Sequence, residues 1–322
     1  MLLAGMARAR RAAPRSVCGA AAALRARRAA SQASQRKAVF FDMVHSNNAA
    51  RVRLWLALKG GGVSEQVESR FVTYPDLETD EFKAVNPLKK VPALIRADGE
   101  TVAESAVILD FLEDKYAAVG QPMKPRTPEG RQEMNFLIRL HDIYVASPNC
   151  TAPGFSHSQG AMYLSYGFHG AARGMDLGTR AAKMAELWKQ LNALEAIATR
   201  QPSSQYLAGG MLTLADMTWF PTCVFFEYML PRIFKWPELF DTSATSRTPF
   251  PALAAWYSQL REQPAFAAVH RDIWGHWTRM EAAGQFVPIL QELASPEARG
   301  LKFTFGTPPR TVHMPYQKVR VQ

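Results

Sequence analysis

Asn86-Pro87-Leu88-Lys89-Lys90-Val91-Pro92-Ala93-Leu94 is the stretch on which the fold turns. Val91 to Ile95 has the composition of a short strand with a proline near its start, where a missing N–H is tolerated. Asp98-Gly99 is a hairpin turn signal, and Thr101-Val102 returns. A helix follows, with Ser105 as its expected cap and Val107, Ile108, Phe111, Leu112 and Tyr116 along it. Upstream, Val39-Phe40-Phe41 is an apolar run long enough for a buried strand. His45-Ser46-Asn47-Asn48 offers helix caps before a helix at 49–59, which Gly60-Gly61-Gly62 stops. Val67 to Tyr74 is β-prone, and Asp80 to Val85 reads as a short helix. The order βαβ, hairpin, helix suits a small α/β sandwich.

Downstream the pattern changes. Gly120, Pro122, Pro125 and Pro128 mark a linker. Helices are expected at 129–146, 178–199, 213–230, 251–262 and 265–281. Thr213-Leu214-Ala215-Asp216 is a capping box opening the most apolar of them. The connection 147–177 is long for a helical bundle and rich in Gly, Ser, His and aromatics. The expected class is α+β: an N-terminal thioredoxin-like α/β domain followed by an all-α helical domain. Its parts are 1–36 as an import peptide, 37–118, a linker at 119–128, 129–295 with the insertion 147–177, and a tail at 296–322.

The formal charge of +10 over 322 residues is concentrated at one end. Residues 1–37 carry nine Arg or Lys and no acid, leaving 29 basic against 28 acidic residues in the rest, a balance of +1. No basic surface for nucleic acid is required. No apolar run reaches the roughly 18 residues of a membrane span. The first 36 residues, rich in Ala and Arg, have the composition of an organelle import peptide. The mitochondrial matrix is the expected destination and the plastid stroma the alternative. Processing removes Cys18 and leaves Cys150 and Cys223, which lack metal-ligand spacing.

Taken together, Val91-Pro92 before a strand, Glu104-Ser105 opening a helix and an all-helical second domain resemble a cytosolic-type glutathione transferase over about residues 38–270. Ser46 to Leu54 is similar to the first loop and helix of the serine- and cysteine-type classes. Asn86 to Leu94 and Arg51-Val52-Arg53-Leu54 are most similar to the zeta class.

Physical chemistry gives these positions work to do. A cis bond before Pro92, as thioredoxin-like folds hold, exposes the backbone of Val91 to an extended peptide such as glutathione. The helix start at Glu104-Ser105 favours an anion. The resemblance implies that this anion is the γ-glutamyl carboxylate, with Glu104 taking the free amine. Ser46, between strand and helix, is the expected catalytic residue, its hydroxyl donating to a thiolate. Asn47 and Asn48 stand beside it. Lys89 and Lys90 are placed for the glycyl carboxylate, and His45 reads as a loop histidine. The resemblance further implies that the first helix of the second domain lines the electrophile pocket, which makes Arg139, Asp142 and Tyr144 its expected residues; Phe155, His157, Tyr163, Tyr166, Phe168 and His169 could add aromatic walls, or equally pack as core or as a partner surface.

The expected function is a glutathione transferase of detoxification type, with glutathione as co-substrate, a small electrophile, no metal and a homodimeric state. A glutathione-dependent isomerase and a non-catalytic subunit of a larger organelle complex are the alternatives.

Overall fold

The computed structural model describes residues 36–146, 160–170, 174–200, 205–208 and 210–305. The expected import peptide up to residue 35, Phe155, His157 and the tail beyond residue 305 lie outside the described residues.

The N-terminal domain is built on four strands: β1 (Ala38–Asp42), β2 (Val67–Phe71), β3 (Ala93–Ile95) and β4 (Thr101–Ala103), in the order β2-β1-β3-β4. β1 pairs parallel with β2 and antiparallel with β3, which pairs antiparallel with β4. As a central strand, β1 is covered on both faces. Phe40 enters the large core, while Phe41 enters a small one with Met43, Leu77, Phe82 and Ala93. This is why its sequence is a continuous apolar run rather than an alternation. Helices α1 (Asn47–Lys59), α2 (Asp80–Val85) and α3 (Ser105–Lys115) complete the expected thioredoxin-like unit. The Val91–Pro92 peptide is cis.

The helical domain contains α4 (Pro128–Leu140), α5 (Gly160–Tyr163), α6 (Tyr166–His169), α7 (Leu177–Thr199), α8 (Leu214–Phe234), α9 (Pro251–Arg261), α10 (Pro264–Ala282) and α11 (Val287–Leu293). The expected helix 129–146 is shorter: α4 ends at Leu140 and a π-helical turn, His141–Ala146, follows. Two short helices occupy part of the long connection, and α11 is an addition to the expected set. The first residues of the tail pack back on the domain. The Trp236 indole donates to the Phe303 carbonyl, and Phe305 lies on Trp188.

Helix α8 is apolar all round and nearly wholly buried, as its sequence implied. It begins with the expected capping box: Asp216 accepts from the Thr213 amide at 2.8 Å and also from the Leu207 amide and the Trp256 indole. Both domains share one core, in which Trp55 of α1 is continuous with Leu137, Trp219 and Phe220.

A buried ion pair joins the linker to this core. Lys59 at the end of α1 donates to Glu113 of α3 at 2.9 Å, both side chains being almost fully buried. Glu113 also accepts from the Trp55 indole and the Met123 amide, and Lys59 donates to the Gln121 carbonyl. The Leu214 amide in turn donates to the Met123 carbonyl.

Candidate active site

The turn between β1 and α1 exists because Ser46 caps α1. Its backbone is extended, and its Oγ accepts from the Ala49 amide at 3.2 Å. One lone pair is thereby committed to the helix, while the hydroxyl hydrogen remains able to donate. The same residue lines a cavity of ≈ 500 Å³ together with His45, Asn47, Asn48, Lys89, Lys90 and Val91. Capping and cavity-lining therefore coexist in Ser46. The α1 N-terminus adds its positive dipole end on the same side, where Asn47 and Asn48 line the cavity.

The β3–β4 register, with Ala93 opposite Ala103, carries Pro92 and Glu104 to neighbouring positions at one end of the hairpin. Glu104 has a φ of 68°, uncommon for a residue with a side chain. It occupies the N-cap position of α3 and makes no side-chain capping bond. The expectation that Ser105 caps this helix is thereby corrected: Ser105 is the first helical residue, and it is buried. Pro92, Glu104 and Ser105 are not among the residues that line the cavity, which Val91 reaches. Lys89 is held by Glu78 at 2.8 Å, and the Asn86 amide donates to the Lys90 carbonyl, fixing the loop.

The expected electrophile residues are not in the lining. Arg139 and Tyr144 point outward and are exposed. Asp142 turns toward α1, where Arg51 donates to it at 2.7 Å and His141 lies 2.9 Å away. Burial opposes its ionisation, but Arg51 and His141 more than offset this and hold its carboxyl below the usual carboxylate range. For Asp142 and Tyr144 the π-helical turn accounts for the misplacement, since its wider spacing rotates residues after Leu140 off the helical period, whereas Arg139 precedes it on the exposed face of α4. The helical domain contributes Ala146 and Thr222 instead. Thr222 Oγ1 lies 2.8 Å from His141 Nε2, so the cavity wall is tied to the Arg51–His141–Asp142 cluster. Tyr163 is buried against Trp277, while Tyr166 and Phe168 are exposed away from the cavity. His169 bonds its own loop at Ser165.

Sequence reasoning read His45 as a loop histidine and gave Tyr74 no role at the site. His45 is 7% exposed, its Nε2 lies 2.9 Å from the Tyr74 hydroxyl, and its ring stacks on His276 at 3.9 Å. Nothing local in the sequence joins positions 45, 74 and 276; only the tertiary fold does.

Shifted titratable groups make stability depend on pH. Burial and then Arg51 lower His141 to about 4; burial and then Arg279 lower His276 to about 4. Unfolded histidines near 6.5 bind protons that these rings refuse, so stability is full above that value and is lost as pH falls toward 4. Burial raises Asp42 to about 6 against the pull of Arg53, an opposing effect confined to the range below 6. Burial likewise raises the carboxyls of Asp216 and Glu195, which oppose the histidines in the same way. The histidine part is isolated by His276→Asn: in urea titrations the variant's unfolding free energy should climb less steeply with pH between about 4 and 6.5 than the wild type's, and an unchanged slope contradicts it.

Comparison with known proteins agrees with this layout. Family models described as the N-terminal and C-terminal domains of glutathione S-transferase match residues 45–115 and 178–258. A probable maleylacetoacetate isomerase of Caenorhabditis elegans is 28% identical over 252 residues, covering 74% of this chain and 95% of that protein. The solved maleylacetoacetate isomerase of Methylobacterium extorquens AM1 with bound malonate and GSH superimposes with a TM-score of 0.54 at 22% identity, covering 73% and 97% of the two chains. Ure2p in complex with glutathione gives a TM-score of 0.55 at 18% identity, covering 73% and 98%. At those identities the two structures bear on the fold alone.

Proposed function

We propose that this chain, which belongs to the glutathione transferase superfamily, binds glutathione beside Ser46, holds its thiol as a thiolate and delivers that thiolate to a small electrophile. One observation carries the reading: the Ser46 hydroxyl, at the N-terminus of α1, faces the same cavity as Val91 at the strand entry. Val91 would pair with the peptide backbone of glutathione, and Ser105 with its γ-glutamyl carboxylate. Lys90 stands at the cavity for the glycyl carboxylate.

Ser105→Ala is the direct test. It is expected to weaken glutathione binding about ten- to a hundredfold, because a hydrogen bond to a charged group contributes about 1.5–3 kcal/mol. The melting temperature should scarcely move, since Ser105 makes no capping bond. Calorimetric titration and thermal melts together decide. Unchanged affinity with a lowered melting temperature would leave Ser105 a purely structural residue.

A second reading, glutathione-dependent isomerisation, is favoured by the relatives that are maleylacetoacetate isomerases. Reversible thiolate addition to a conjugated cis double bond uses the same site. Following the isomer ratio of such a substrate spectroscopically separates it from conjugation, which consumes glutathione.

Two further proposals concern context. We infer mitochondrial import, supported by nine basic and no acidic residues in positions 1–37. The mature chain is then expected to begin between about Ala29 and Lys37, and N-terminal sequencing of organelle material that found Met1 would exclude it. A homodimer is supported by Phe71, 62% exposed at the end of edge strand β2. A single-chain mass in light scattering would exclude that.

A further inference from the structure

Forming a thiolate requires a place for the thiol proton. Ser46 does not provide one: its oxygen already accepts from Ala49, and its part is to donate. Among the described cavity residues, Lys89 and Lys90 are cations, and Glu78 is held by Lys89, which lowers its pKa. Thr222 is a hydroxyl engaged with His141. His45 is the one imidazole in the lining, and it directly precedes Ser46.

The setting of His45 is built from two domains. Tyr74, from the connection after β2, places its hydroxyl 2.9 Å from His45 Nε2. From α10, His276 stacks on the ring at 3.9 Å and 10°, and Trp277 meets it edge-on at 5.8 Å. His276 is kept neutral at ordinary pH by burial and Arg279, so the stack holds room for one positive charge rather than two. One turn earlier on α10, Asp272 faces Arg53 at 3.8 Å, and Arg53 faces Asp42. Tyr74 lines the cavity as His45 does, and its hydroxyl is in contact with the imidazole.

We propose that His45, acting through the Tyr74 hydroxyl, accepts the proton that the glutathione thiol gives up, an inference that rests on the glutathione-binding reading above. The S–H bond breaks and leaves its electron pair on sulfur. The proton passes to the Tyr74 oxygen as the Tyr74 proton passes to His45 Nε2. The products are a thiolate, a neutral tyrosine and an imidazolium. When the thiolate adds across a double bond, the same path returns the proton to the substrate. When it displaces a leaving group, the proton goes to solvent.

The test uses the full chain with glutathione in weakly buffered solution near pH 6.5, about where histidine titrates. Ultraviolet absorbance reads the thiolate, and an indicator dye reads protons released. In the wild type, thiolate is expected without a matching proton in solution. In Tyr74→Phe and His45→Gln, each thiolate formed should release one proton. Their kcat/KM should fall about a hundredfold at this pH, as loss of general base catalysis implies. The acid limb of the rate profile should move up toward the free thiol value of about 8.5. Tyr74→Phe changes a largely exposed side chain and keeps the test valid if His45→Gln does not fold. One proton released per thiolate in the wild type, or wild-type profiles in both variants, would overturn the relay alone. Absence of both glutathione binding and thiolate would overturn the relay together with the reading beneath it.

Discussion

Ser46→Ala is expected to slow glutathione conjugation by about tenfold to a thousandfold, the usual contribution of one oriented donor to a developing charge. The variant loses the only hydroxyl that both caps α1 and faces the cavity there. Its cost in stability should be about 1 kcal/mol, because the bond to the Ala49 amide goes as well. Affinity for glutathione should change little, since the contacts proposed for Val91, Lys90 and Ser105 remain. The thiolate absorbance of bound glutathione should need a higher pH to appear. Asn47 and Asn48 line the same space, and either amide is able to donate. The triple variant with both asparagines also changed to alanine tests that substitution of roles. Ser46→Cys should instead form mixed disulfides with glutathione. If Ser46→Ala and the triple variant both keep the wild-type rate and thiolate titration, Ser46 is a helix cap only.

Glu113→Ala carries the largest expected effect on the fold, a loss of about 3–5 kcal/mol. Glu113 receives Lys59, the Trp55 indole and the Met123 amide together. Its removal strands an ammonium in a position without solvent, which costs more than the pair itself contributes. The double change Lys59→Met with Glu113→Leu removes both charges and should recover most of the loss. Chemical denaturation of the three proteins decides the matter. Equal loss in the single and double variants would mean that the hydrogen bonds to Trp55 and Met123, rather than the charge, dominate.

The domain order was readable in the sequence because local signals agreed with one another. Ser46 stands after an apolar run and before a helical period, and that position is where the structure puts a cap. Val91-Pro92 and Asp98-Gly99 marked the antiparallel hairpin. The second-domain side of the cavity was not readable. Arg139, Asp142 and Tyr144 look equivalent if α4 runs on, but the π-helical turn begins at His141 and sends Asp142 to Arg51 instead. That turn depends on partners 90 residues away, which no local pattern displays. Thr222 sits in a helix apolar on every side, so no periodicity singled it out. His45 gains its surroundings from Tyr74 and His276, both distant in sequence. Residues 296–305 gave no pattern because Phe303 and Phe305 act as single anchors on Trp236 and Trp188.

The segment between the two domains has the composition of a hinge and the bonding of a weld. Gln121 and Met123 are held by Lys59, Glu113 and Leu214, so α1, α3 and α8 meet at one short stretch of chain. A pair of lobes joined in this way exchanges its protected amides as one body. Hydrogen–deuterium exchange should therefore find Trp55 and Trp219 opening with the same free energy, rather than an early N-terminal foldon and a late helical one. Entry to the cavity is then expected to use movements of its rim, with the two lobes keeping their mutual angle.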